Sequence, residues 1–227
     1  MKVMILAAGR GERLRPLTDR VPKALLQAAG KPLLAWHLER IARAGFGEVV
    51  INVSHLGRLI VDRFGSGAEF GLAIRWSLEA QALETAGGIA QARALLGTAP
   101  FLLVNADIWC DFDFASLRGH RLEAHLAHLV LVPNPPHRAS GDFSLRSGAV
   151  GNDPAPRYTY AGIGVLSPEL LHGIAPGEKA PLAPLLREAA ARSAVSGALH
   201  HGVWHDVGTA ERLAALEKLL QTKRIAT

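Results

Sequence analysis

Short apolar runs alternate with stretches of helical period through the first half of this 227-residue chain. Val3–Leu6 and residues 101–104 are apolar throughout; Glu48–Val53 and residues 72–76 are nearly so. A strand without polar alternation has no face for water, so helices must cover both sides, as they do on a parallel sheet. The segments between supply them. Residues 32–44 place Leu33, Leu34, Leu38, Ile41 and Ala42 on one helical face, with Gly45 to end it. Residues 56–64 form a shorter helical pattern stopped by Gly65-Ser66-Gly67, and residues 85–96 a third. This βαβαβαβ rhythm predicts a doubly wound α/β sheet.

The second half is less regular. Residues 114–125 read as a helix and residues 128–132 as a strand. Residues 133–142 are a loop by composition, and residues 143–150 a hairpin arm. Residues 158–166 form a strand whose Gly162 and Gly164 suggest close approach of another group. Residues 168–174 and 180–192 read as helical, and residues 203–207 as a short strand. A terminal helix over 209–223 starts on Thr209 as N-cap and sets Arg212 opposite Leu216, Leu219 and Leu220. Without a repeat or linker, residues 1–227 are expected to be a single domain, the part from 111 onward forming a lobe over the sheet.

Hydrophobic residues make up 49% of the chain and charged residues 20%, enough for a packed core. The net charge is +5, and the sequence pI about 9.8. The basic residues are scattered, which disfavours nucleic acid and suits small anionic substrates. One cysteine, Cys110, leaves no disulfide within the chain, as expected of a cytoplasmic protein. No stretch reads as a signal peptide or membrane span.

The loop after the first strand, "AAGRGERLRPLTDRVPKAL", lies where open α/β sheets bind ligands, beyond the strands' carboxyl ends. Gly9 and Gly11 free main-chain N–H groups to face an anion, and Arg10, Arg13, Arg15 and Lys23 add charged donors. The dinucleotide code needs a glycine where Leu14 stands, which disfavours a dinucleotide-dependent oxidoreductase. The Walker pattern is absent too. Asp107 follows the fourth strand, and Asp206 follows a short apolar run. Two carboxylates at a phosphate loop suit Mg²⁺, which takes few protein ligands and fills its shell from phosphate and water. His205, beside Asp206, reads as a packing or surface histidine.

Four segments together resemble the sugar-1-phosphate nucleotidyltransferases. The opening pattern G-x-G-x-R-[LM]-x-P-L-T followed by P-K is met by Gly9, Gly11, Arg13, Pro16, Leu17, Thr18, Pro22 and Lys23. "LETAGGI", "VNAD" and "WHDVGT" resemble three further segments in the same order. The resemblance spans nearly the whole chain. It implies a Rossmann-like three-layer sandwich with a mostly parallel mixed sheet and a small sugar-binding lobe, of glycosyltransferase-A type. Residues from 1 to about 110 would bind nucleotide, and those from about 111 to 227 sugar.

It also implies a reaction in which a sugar 1-phosphate oxygen attacks the α-phosphate of a nucleoside triphosphate and pyrophosphate leaves. The residues then take implied roles. Arg13 and Lys23 would be catalytic. The nucleotide would meet Ala7, Ala8, Gly9, Arg10, Gly11, Glu12, Arg13, Lys23, Glu79, Glu84, Thr85 and Asn105. The sugar phosphate would meet Gly141, Asp142, Gly162 and Asp206, and Mg²⁺ would sit on Asp107 and Asp206.

Glu84 stands where that family usually has glycine, and Ala24 where proline commonly follows the lysine. Leu83, Glu84, Thr85, Gly87 and Gly88, with Gly141-Asp142-Phe143 and the strand around Gly162, resemble a narrower group, the N-acetylmuramate 1-phosphate uridylyltransferases of bacterial peptidoglycan recycling. UTP is then the expected donor. The sugar's lactyl carboxylate calls for a basic partner, for which His137, Arg138 and Arg157 are candidates by location, a solvated loop charge being the alternative reading of each. A mannose, heptose or glucose 1-phosphate nucleotidyltransferase using GTP or another triphosphate is the nearest alternative, and a non-catalytic nucleotide-sugar binder a more distant one. A monomer or small homo-oligomer is expected.

Overall fold

The computed structural model describes residues 1–154 and 156–225. The chain runs β1 (Val3–Leu6), β2 (Gln27–Ala28), β3 (Lys31–Pro32), α1 (Leu33–Arg43), β4 (Glu48–Val53), α2 (Gly57–Phe64), β5 (Ala73–Leu78), α3 (Glu84–Gln91), α4 (Arg93–Leu96), β6 (Phe101–Asn105) and β7 (Ile108–Cys110). It continues through β8 (Ala127–Val132), β9 (Phe143–Arg146), β10 (Ala149–Gly151), β11 (Arg157–Leu166), α5 (Leu182–Ala191), β12 (Val195–Leu199), β13 (Trp204–Asp206) and α6 (Ala210–Ile225).

Nine strands form one sheet in the order β5-β4-β1-β6-β11-β8-β12-β10-β9. The first four are mutually parallel, as the apolar runs of the three inner ones, β4, β1 and β6, suggest. Strand β11 then enters antiparallel to both β6 and β8. Its first residues pair with β9, so the far end of the sheet curls back on itself.

Alternation along each strand divides two cores. Val3, Ile5, Val49, Ile51, Leu102 and Val104 face Leu38 and Ile41 of α1 and Ile60 and Phe64 of α2. Met4, Val50, Phe101 and Leu103 face Ile89 and Ala90 of α3 and Leu186 of α5. The three-layer sandwich follows from this two-residue period. A third, smaller core joins Leu216 and Leu220 of α6 to Leu14, Leu26, Leu33, Trp109 and Val207. The terminal helix thereby clamps the opening loop against β7 and the residue after β13.

Three helical expectations need correction. Residues 114–125 form only a 3₁₀ turn, Phe114–Leu117, which Asp113 caps by accepting from the Ala115 N–H. The chain continues as turn and coil, with Glu123 left-handed at φ +51°. The helix expected over 85–96 is divided at Ala92 into α3 and α4. Pro168–Leu171 is a 3₁₀ turn rather than a helix. Strand β12 was not expected, because its centre is Gly197. A Cβ there would stand 2.8 Å from the Leu129 carbonyl, so close packing dictates a small residue and erases the apolar signal.

His37 on α1 is buried, and its Nε2–H donates to the Ile108 carbonyl at 2.7 Å, tying α1 to the strand that follows Asp107. Burial lowers its pKa to about 4, and burial likewise lowers that of His128 to about 4. Both pKa values lie below those of the unfolded chain, so unfolding takes up protons between pH 6.5 and 4. The stability these groups contribute is complete above pH 6.5 and lost as pH falls toward 4, by about 3 kcal/mol for His37. The urea midpoint should drop across that window; a flat midpoint from pH 7 to 4.5 would contradict a buried neutral His37.

Candidate active site

A cleft of about 570 Å³ opens beyond the carboxyl ends of β1 and β6. The opening loop forms one wall. Ala7, Ala8, Gly9, Gly11, Glu12, Arg13 and Lys23 all line it. Opposite stand Ala82, Glu84 and Thr85 at the start of α3, and Asn105 and Asp107 after β6 form the floor. Arg10 is exposed and does not line the cleft.

Gly11 turns the loop at φ +69°, and a Cβ there would meet Thr18 Cγ2 at 2.9 Å and Lys23 Cβ at 3.3 Å. The Thr18 hydroxyl donates to the Gly11 carbonyl at 2.9 Å and fixes the turn from below. Gly9 by contrast faces open space on the cleft side, where a bound group can approach the main chain.

An amide sequence reasoning missed holds the two walls together. Asn52, at the end of β4, accepts from the Ala7 N–H at 2.9 Å and donates to Glu79 at 2.6 Å. Glu79 in turn accepts from the Leu83 N–H at 3.0 Å. Glu79, expected at the nucleotide, is therefore a buried brace behind the cleft. Asn52 itself lines the cleft. Its only trace in the sequence is a polar residue near the carboxyl end of an apolar strand. Asn52→Leu takes from the buried Glu79 one of its two donors and from the Ala7 N–H its acceptor, so a loss of about 2 kcal/mol in unfolding free energy is expected, with weaker nucleotide binding. A urea titration and a nucleotide titration of the variant check both.

Charges converge on the floor. Lys23 Nζ lies 2.6 Å from Asp107 Oδ2, across 84 residues of sequence. Asp206 lies beside Asp107 in the fold because β13 pairs with β7 antiparallel and the Val207 N–H donates to the Asp107 carbonyl at 2.7 Å. The Asp206 carboxylate is held by Arg212 at 2.9 Å and by His137 Nε2 at 2.9 Å. His137 comes from the 133–142 loop, so it joins the sugar-side lobe to this carboxylate. His205 points its backbone into the β7 pairing, and burial lowers its pKa.

The other expected sugar-site residues, Gly141, Asp142 and Gly162, do not line the cleft. Asp142 accepts from Arg138 at 3.0 Å and from the Tyr160 N–H at 2.9 Å, and Arg157 donates to the Asp142 carbonyl. Arg138 and Arg157 are thus engaged in shaping the Gly141–Asp142 turn. Gly162 takes φ +76°, and a Cβ on it would stand 2.7 Å from Asn105 Nδ2. The close approach expected on this strand is to Asn105, so Gly162 backs the cleft floor. Glu84 adopts φ +60°, a conformation that favours glycine, and its carboxylate pairs with Lys179 at 3.6 Å at the rim. Among the described residues no group of three or more His, Cys, Asp or Glu side chains could hold a metal by itself. No helix among them is long and apolar enough to cross a membrane.

Residues 2–143 match the nucleotidyl transferase family. Over 96% of its length the chain is 51% identical to the N-acetylmuramate alpha-1-phosphate uridylyltransferase of Neisseria meningitidis serogroup B, 98% of which is covered. It is 33% identical to the Caulobacter vibrioides protein of the same name, over 96% of each chain. A solved structure described as a putative glucose-1-phosphate thymidylyltransferase from Bacillus anthracis superposes with a TM-score of 0.85. It covers 96% of this chain and 94% of its own at 20% identity, a likeness of fold.

Proposed function

Because the chain belongs to the nucleotidyl transferase family, we propose that it transfers the uridylyl group of UTP to N-acetylmuramate α-1-phosphate, forming the UDP-sugar and pyrophosphate. The observation that carries donor and acceptor together is the 51% identity, end to end, with the Neisseria uridylyltransferase. Glu84 agrees with it: a carboxylate at the rim of the cleft accepts from a ring N–H, as the uracil N3–H offers.

The chain's own groups supply binding, orientation and charge. Main chain from Gly9 to Arg13 would cradle the triphosphate, leaving its α-phosphorus toward the floor. The sugar phosphate oxygen attacks that phosphorus in line, the α–β P–O bond breaks, and the electron pair leaves with pyrophosphate. Arg13 faces the negative charge that grows on the leaving group. Lys23, fixed at the floor, faces the α-phosphate and the entering phosphate. Holding both reactants in this geometry removes most of the entropic barrier.

The donor set fits Mg²⁺. Asp107, just before β7, and Asp206, at the end of β13, offer hard oxygens, each paired with a group that a divalent ion could displace: Lys23 for one, Arg212 and His137 for the other. These two aspartates would hold the ion, which would neutralise phosphate charge at this end of the cleft. The same reading has the protein act in the cytoplasm, in peptidoglycan recycling, as a monomer or small homo-oligomer.

A matrix of UTP, GTP, CTP and dTTP against N-acetylmuramate, mannose, glucose and heptose 1-phosphates, read by pyrophosphate release, tests the assignment. UTP with N-acetylmuramate 1-phosphate should exceed every other pair in kcat/KM by tenfold or more. A larger rate for GTP with mannose 1-phosphate would overturn the substrates while retaining the reaction.

A further inference from the structure

Gly208 lines the cleft just after Asp206, and its backbone gives no reason for glycine, since its φ lies outside the left-handed region. The reason is space. A Cβ on Gly208 would stand 2.1 Å from Arg212 Nη2 and 3.0 Å from Arg13 Nη2. Two guanidinium groups from opposite ends of the chain therefore converge on one point of the cleft wall. Their Nη2 atoms are no more than about 5 Å apart, where like charges repel unless an anion lies between them.

The charge around them is incomplete. Arg212 grips Asp206 through Nη1, and that carboxylate is shared with His137. Arg13 has no carboxylate partner among the described residues, and the buried Arg212 Nε has no hydrogen-bond partner. Arg212 is nevertheless well fixed. The Thr209 side chain caps its N–H at 3.4 Å, and α6 is anchored by Leu216 and Leu220 in the third core.

We propose that Arg212 and Arg13 form a paired clamp on a phosphate group of the nucleotide, the one that leaves in pyrophosphate, and that Gly208 is the gap that admits both. The clamp rests on the nucleotidyl-transfer reading but on neither its base nor its sugar. Guanidinium forks match phosphate oxygens two at a time, so two of them can hold one group from two sides. Arg212 thereby has a second role beyond orienting Asp206: it ties the position of that carboxylate to the arrival of phosphate.

Calorimetric titration of the whole protein with inorganic pyrophosphate in EDTA tests this without metal, base or sugar. Gly208→Ala is the sharpest variant, because its Cβ meets only the flexible ends of two side chains and the fold should tolerate it. We expect pyrophosphate to bind the wild type, and Gly208→Ala and Arg212→Lys each to weaken it tenfold or more, with melting temperatures within about 2 °C of wild type. Arg212→Lys keeps the charge and loses the fork, so it separates clamp from net charge. A parallel titration with N-acetylmuramate 1-phosphate separates the two phosphate sources and should change less than threefold. Undetectable pyrophosphate binding by the wild type, wild-type affinity in both variants, or a loss confined to the sugar phosphate would overturn the assignment. Failure of the substrate matrix with this titration intact would count against the base and sugar alone.

Discussion

Asp107→Asn and Asp206→Asn are each expected to lower turnover by ~100-fold or more, because on the proposed reading each removes a carboxylate charge that would hold Mg²⁺ against the phosphates. The substitutions keep shape and hydrogen-bonding capacity, so their structural cost is small. Asp107→Asn still accepts from Lys23, and Asp206→Asn still accepts from Arg212 and His137. What changes is affinity for a cation. The Mg²⁺ concentration needed for half-maximal rate should rise at least tenfold in either variant, and the melting temperature of the ligand-free protein should barely move. Near-normal turnover with an unchanged Mg²⁺ requirement would remove that aspartate from the metal site. The β7–β13 pairing makes the two variants comparable: the carboxylates stand just before β7 and at the end of β13, and the Asp107 carbonyl is tied to the Val207 N–H.

Lys23→Ala should be as damaging, again ~100-fold in kcat/KM, for a different reason. The ammonium is largely buried and meets Asp107 at 2.6 Å. In the ligand-free protein it pairs with that carboxylate; in the proposed reaction it would stabilise charge on the phosphates. Removing it leaves the folded core untouched, since the loop around it is held by Gly11, Thr18 and the Leu14 and Leu26 contacts with α6. Lys23→Arg keeps the charge but spreads it over a larger, planar group, so it should recover only part of the rate. If Lys23→Ala lowers stability and leaves kcat/KM unchanged, the lysine is structural.

Strands buried on both faces were the most legible part of this fold. Val3–Leu6 and Glu48–Val53 form with the bounds their apolar runs suggest, because residues that must all be covered admit few alternatives. Elements whose residues are chosen for contact were harder to read. Strand β12 carries a glycine where the Leu129 carbonyl passes, and the 114–125 segment continues as turn and coil, which helical period does not reveal.

The site divides the same way. Gly11, Arg13, Lys23 and Asp107 announced themselves by type and position, and the cleft gathers all four. Asn52 is a single amide in an apolar strand, and its role depends on the partners that only folding brings to it: Ala7, 45 residues away, and Glu79, 27 away. Arg212 looked like the solvent side of an amphipathic helix, whereas the structure turns its guanidinium onto Asp206. His137, a candidate by location for a sugar carboxylate, lies against Asp206, which brings the 133–142 loop to that carboxylate.

In the proposed reaction a sugar phosphate displaces pyrophosphate from the α-phosphorus of UTP in the cleft between the opening loop and Asp107. Phosphorus-31 NMR of the protein with UTP, Mg²⁺ and N-acetylmuramate α-1-phosphate follows every phosphorus at once. Equal growth of a pyrophosphate signal and of the two coupled signals of a UDP-sugar is expected, with no inorganic phosphate. Release of inorganic phosphate, or an unchanged UTP spectrum while the sugar phosphate is consumed, would contradict it.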